Sequence, residues 1–149
     1  MIFHSIDEAV EVLRDLVNLV RQEENNSVKS MVLREIGNNF ADLGFLDEAR
    51  ELLLDAYKYA EKINDVDKML SEILEISRDL YSMGFIDYSI KILEDTLNRS
   101  EKYIEVEDKL FIYIQIAQEL IDVKFLDLAR EAIERIIDLY FNMDPSDIE

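Results

Sequence analysis

The sequence predicts an all-α fold, a solenoid of about seven antiparallel helices, and three observations carry that expectation. The stretch Gly44-Phe45-Leu46-Asp47-Glu48-Ala49 returns 40 residues later as Gly84-Phe85-Ile86-Asp87-Tyr88-Ser89 and again as Lys124-Phe125-Leu126-Asp127-Leu128-Ala129. One period earlier stands His4-Ser5-Ile6-Asp7-Glu8-Ala9. A constant interval of this size marks helical hairpins stacked one on the next. Between these stretches apolar residues fall at three- and four-residue steps, the period of a helix with one buried face. Only three glycines and one proline interrupt 149 residues, so few breakers are present to end long helices.

Residues 5–22 read as one amphipathic helix on Ile6, Ala9, Val10, Leu13, Leu16, Val17 and Val20. Asp7 lies in its first turn, where a carboxylate meets unpaired amides and the positive end of the helix dipole. Glu23-Glu24-Asn25-Asn26 breaks the pattern, and Ser27 is the expected N-cap of the next helix, 27–43. That helix carries Met31, Leu33, Ile36, Gly37, Phe40 and Leu43. Gly44 ends it, since a residue without Cβ enters the left-handed cap conformation at little cost. The return helix, 46–63, shows Leu46, Ala49, Leu52, Leu53, Ala56, Tyr57, Ala60 and Ile63. The unit then repeats as helices 66–83 and 86–103, and as 106–123 and 126–141. A single domain over 1–143 is expected: a lone return helix, then hairpins 27–63, 66–103 and 106–141, with a disordered tail at 144–149.

Composition narrows the function classes. The formal net charge is 16 − 34 = −18. A surface that acidic repels phosphate backbones and anionic headgroups, so neither nucleic acid nor membrane is an expected partner. It suits a basic partner, or solubility alone. Cysteine is absent, which excludes disulfide and thiolate chemistry. Met1-Ile2-Phe3 is too short for a signal peptide, and the apolar run from Leu110 to Ala117 falls well short of the roughly 18 residues of a membrane span. A cytoplasmic location is expected.

The spacing within each hairpin resembles the tetratricopeptide (TPR) repeat. That pattern asks for a large residue, an aliphatic-glycine pair and an aromatic on the first helix. On the second it asks for a small residue with a bulky one four later. The first hairpin supplies Leu33, Ile36-Gly37, Phe40, Ala49 and Leu53. The second supplies Ile73, Ile76-Ser77, Leu80, Ser89 and Leu93, and the third Tyr113, Ile116-Ala117, Leu120, Ala129 and Ile133. Small residues recur where two helices of a tight hairpin meet, because a larger side chain would wedge them apart. The period of 40 against about 34 in TPR repeats, with Glu61 where the first repeat-closing proline would stand, makes each helix about one turn longer. The resemblance implies a right-handed α-α superhelix whose first helices line a groove that takes protein partners.

No constellation of catalytic chemistry is found. His4, the one histidine, falls on the turn position of Gly44, Gly84 and Lys124, and is expected to face solvent. The carboxylates of Asp65-Val66-Asp67 and Glu105-Val106-Glu107-Asp108 sit at helix starts and lack the ligand spacing of a calcium loop. Neither catalytic nor metal-binding residues, nor a cofactor, are expected. By the resemblance, the groove positions are Arg34 and Asn38 on one first helix, Leu74, Arg78 and Tyr81 on the next, and Phe111, Ile114, Gln118 and Ile121 on the third. Some TPR domains hold a carboxylate with a basic residue and an asparagine one turn apart, which Arg34 and Asn38 match. Glu75, Phe111 and Gln115 occupy the other positions of that clamp. On the alternative reading, Arg34 and Arg78 pair with neighbours such as Glu35 and Glu75. The final helix, with Ile133, Ile137, Tyr140 and Phe141, has no cap after it, so self-association into a homodimer is a second expectation. The reading that results is a non-enzymatic module binding a protein or peptide. Its rivals are a structural homo-oligomer filled by another copy, a ligand-sensing regulator, and an acidic mimic of nucleic acid.

Overall fold

Short polar caps set where three of the helices begin. In the computed structural model, which describes residues 5–143, Ser5 Oγ accepts from the Glu8 amide at 3.2 Å and opens helix α1 (Ile6–Val20). Asn25 Oδ1 accepts from Val28 at 3.1 Å and opens α2 (Asn26–Asp42), so the cap is Asn25 and the expected Ser27 lies inside the first turn. Asn25 has the extended backbone that a cap needs, and the chain turns helical directly after it. After α3 (Leu46–Ala60), Asp65 Oδ1 accepts from Lys68 at 3.0 Å and opens α4 (Val66–Ser82). Helix α5 (Ile86–Arg99) tightens into a 3₁₀ turn at Ser100–Lys102, and α6 (Val106–Asp122) and α7 (Leu126–Phe141) follow. Among the described residues there are seven α-helices and no strand, the all-α helical repeat that the sequence predicts. His4 and the tail at 144–149 lie outside the described residues.

The recurring stretch is a helix stop used three times. Phe45 N–H donates to the Phe40 carbonyl at 2.9 Å and Gly44 N–H to Ala41 at 2.9 Å, the paired bonds of a Schellman cap. Phe85 to Leu80 with Gly84 to Tyr81, and Phe125 to Leu120 with Lys124 to Ile121, repeat them at 2.9 and 3.0 Å. Gly44 and Gly84 sit at φ of 91° and 92°, and Lys124 is held at φ 61°. The Phe45 ring then meets Phe40 edge-on, 6.3 Å between centroids, which fixes the return of α3 along α2.

The backbone divides into two compact units, Met1–Ser89 and Ile90–Glu149, with α5 passing from one to the other. In the first, Leu33, Phe40, Leu53, Leu70, Ile73 and Ile76 are fully buried. Helices α2 and α3 cross at Gly37, where an added Cβ would stand 3.3 Å from the Ala49 carbonyl oxygen and 3.4 Å from Leu53 Cγ. At the equivalent crossing of α4 with the start of α5, the Ser77 and Ser89 hydroxyls bond each other at 2.8 Å, and Ser89 Oγ also donates to the Ser77 carbonyl at 2.8 Å. Helix α1 is strapped to α3 by Arg14–Glu48 at 2.8 Å and Arg21–Asp55 at 3.0 Å. In the second unit, α6 packs on α7 around Ile112, Ile116 and Leu120. There Arg135 of α7 donates to the Leu97 carbonyl, Asn98 and Glu101 at 3.2, 2.7 and 3.1 Å.

Two stability outcomes follow from the turn and the crossing. Lys124→Gly removes roughly 1–2 kcal/mol of left-handed strain and returns roughly 0.4–1 kcal/mol through the freer unfolded chain. A net gain of about 0.5–1 kcal/mol is expected, seen as a higher urea midpoint at constant slope. Gly37→Val places a branched side chain against the Ala49 carbonyl, and a loss of about 1–3 kcal/mol is expected in the same measurement.

Candidate partner-binding faces

The site residues expected from the sequence fall on two faces, one in each unit. In the first unit, α2 carries Arg34 and Asn38. The Arg34 side chain is 14% exposed, with Nε 3.5 Å from Glu72 Oε2 and Nη1 3.4 Å from Asp79 Oδ2. Glu35 adds a contact at 3.5 Å. Asn38 Nδ2 donates to the same Asp79 oxygen at 2.9 Å. A basic residue and an amide one turn apart thus do hold a carboxylate, and it is the chain's own. Burial alone would lower the Arg34 pKa, but Glu72, then Asp79 and Glu35, reverse that and hold it above its ordinary value.

On α4, Arg78 pairs with Glu75 at 3.3 Å, and Tyr81 is exposed. Leu74 corrects the sequence reading: it is buried, because α2 and α3 both pack on α4 and its apolar face reaches past the open side. Where α2 and α4 end, an open cleft of about 470 Å³ is lined by Asn38, Asp42, Leu46, Asp79, Ser82 and Met83. Two carboxylates beside two helix C-termini make this cleft electronegative. The partners of Arg34 on the adjacent first helix, Glu72 and Asp79, are missing from the sequence reading. The only signal for them is an acidic residue near one period away, and the crossing of the two helices selects which.

In the second unit, α6 is apolar on two faces. Ile112, Tyr113, Ile116, Ala117 and Leu120 are buried, and Tyr113 OH donates to Glu101 at 2.9 Å. Burial raises the Tyr113 pKa, and the Glu101 carboxylate adds to the rise. The opposite face presents Phe111, Ile114, Gln118 and Ile121 at steps of three, four and three residues. Phe111, Ile114 and Ile121 are 36, 41 and 47% exposed. Ile133, Ile137, Tyr140 and Phe141 on α7 are exposed as well, with the last two rings edge-on at 5.8 Å. Among the described residues no three His, Asp or Glu side chains group as a metal site, and no helix is long and apolar enough to cross a membrane.

Repeated helical hairpins with a small-residue crossing and a common stop define a TPR-like helical-repeat scaffold. A solved structure from Podosopora anserina, described as a kinesin light chain of nearly identical TPR-like repeats, shares this fold at a TM-score of 0.53. The match covers 89% of this chain and 66% of that one at 19% identity, so the chain spans about two thirds of that protein's length. No family model and no curated protein matches the chain.

Arg34→Met leaves Glu72 and Asp79 facing each other without a cation. A loss of about 1–3 kcal/mol is expected by urea denaturation. Asp79→Asn keeps the bond from Asn38 in altered form and is expected to cost less.

Proposed function

We propose that the protein is a non-catalytic binding module that holds a segment of another protein on the exposed faces of its first helices. The observation that carries this reading is the outer face of α6, where Phe111, Ile114 and, beyond Gln118, Ile121 stand open to water. An exposed stripe on an otherwise charged chain has the composition of an interaction surface. The segment that fits it lies as a helix or extended strand with apolar anchors at the stripe's spacing.

The charge of the segment follows from Arg34. With that guanidinium held by Glu72 and Asp79, the first-unit face offers little free positive charge to a ligand carboxylate. The cleft beside Asp42 and Asp79 favours a lysine or arginine of the partner instead. A net charge of −18 favours basic partners over acidic ones and repels nucleic acid.

The test is affinity capture from the source organism with the unaltered chain, Phe111→Asp and Ile114→Asp, each matched by circular dichroism and melting temperature. A protein held by the unaltered chain and lost to both variants, with their fold unchanged, is the expected result. Equal capture by all three removes the α6 face as the site. A shift from oligomer to monomer in the variants, with no foreign protein captured, makes a second copy the occupant.

A further inference from the structure

The register of the repeat shows what is absent from α7. In α3, which lies between α2 and α4, Leu53, Tyr57 and Ala60 are 0, 8 and 0% exposed. Forty residues on, Leu93 and Leu97 of α5 and Ser100 just beyond it are all 0% exposed. The same three positions in α7 are Ile133, Ile137 and Tyr140, and they are 40, 47 and 60% exposed. Ile133 and Ile137 are aliphatic like Leu93 and Leu97, and Tyr140 is larger than Ala60 or Ser100, so the face has the composition of a covered surface. A second residue repeats the pattern. Arg50 of α3 lies over the rings of Phe85 and Tyr88, 5.3 and 5.4 Å from their centroids, at the turn and return helix that follow α4. Arg130 stands in its register on α7 and is exposed.

We propose that this face of α7 is the docking site for one amphipathic helix of a partner protein, basic along one flank, seated on α7 as α4 is seated on α3. Charge sets the flank. Beside the stripe α7 presents Asp127, Glu134 and Asp138 to solvent, with Arg130 between them and the stripe. A helix laid on Ile133, Ile137 and Tyr140 therefore meets carboxylates along one edge, and lysine or arginine there satisfies them. A second copy of this chain is a poor occupant, because it brings another −18 of charge to an acidic edge.

The probe is a peptide of the α4 sequence, residues 65–82, labelled for anisotropy and made in two forms. One carries lysine and the other glutamate in place of Asp67, Ser71 and Ser82, all exposed on α4. The lysine form is expected to bind the full chain at least about tenfold more tightly than the glutamate form, with the gap closing as salt rises. Ile137→Asp, at an exposed position, is expected to abolish binding with the melting temperature unchanged. Phe111→Asp is expected to leave it intact, which separates this site from the α6 face. Equal affinity of the two peptides, binding by neither, or binding untouched by Ile137→Asp overturns the proposal. So does a dimer in sedimentation that Ile137→Asp converts to monomer, because the occupant is then a second copy.

Discussion

Each hairpin depends on how closely its two helices approach at the small-residue crossing. At Gly37 a single methyl already crowds the Ala49 carbonyl. Forty residues on, two serines occupy the same crossing because each hydroxyl finds a partner there. A buried hydroxyl without one would cost about 1–3 kcal/mol. The third crossing uses Ala117 and Ala129, both almost fully buried. With the spacing set, Leu33, Phe40 and Leu53 or their equivalents fill the volume on either side, and the cap after each first helix returns the chain in line. The Phe40–Phe45 contact ties the last two together, since the cap aims the ring and the ring packs on the helix it stops.

Helix order and turn positions were legible because each rests on local chemistry repeated at a fixed interval, whereas α3 and α5 stop at Ala60 and Arg99, short of the expected 63 and 103. The environment of a register position was not legible, since it depends on what the neighbouring helices bring. Arg34, Leu74 and Ile114 occupy one register, yet the first is neutralised, the second buried and the third open to water. Periodicity names all three as equivalent and has no means of separating them. Asn25 and Ser27 are both good caps two residues apart, and the extended backbone at Asn25 decides between them. Arg34 pairs with Glu72 and Asp79, 38 and 45 residues away, one on either side of the 40-residue register. The exposure of Ile133 was not legible, since its register matches two positions, Leu53 and Leu93, that are buried.

The distribution of cations explains why an acidic chain folds without obvious conflict. Only 16 lysines and arginines offset 34 carboxylates, and several arginines stand where helices meet. Arg14 and Arg21 join α1 to α3, Arg34 joins α2 to α4, and Arg135 joins α7 to the end of α5. The exposed pairs Arg14–Glu48 and Arg21–Asp55 contribute about 0–1 kcal/mol each, so their main effect is to relieve carboxylates that would otherwise repel across a seam. The excess acid is then left on outward faces and helix ends.

Helix α7 shows how an exposed apolar face persists on a folded helix. In a repeat array, stability is close to a sum of each element's own stability and its contacts with neighbours, so a helix covered on one side only is the weakest. Helix α7 lacks the cover that α4 gives α3, and loses the burial of Ile133, Ile137 and Tyr140, at roughly 25 cal/mol per Å². Its other edge carries a compensation. At the register where the earlier return helices have Asp15, Asp55 and Asp95, α7 has Arg135. That side chain bonds the Leu97 carbonyl, Asn98 and Glu101, where α5 runs into its 3₁₀ turn and leaves carbonyls unpaired, and Glu131 one turn back on α7. Charge-assisted bonds to a frayed helix end are stronger than neutral ones, and they fix the direction of α7 as well as its place. The exchange of aspartate for arginine at this one register thus anchors the inner edge of the helix whose outer face is left bare, so that the face is presented as a formed surface.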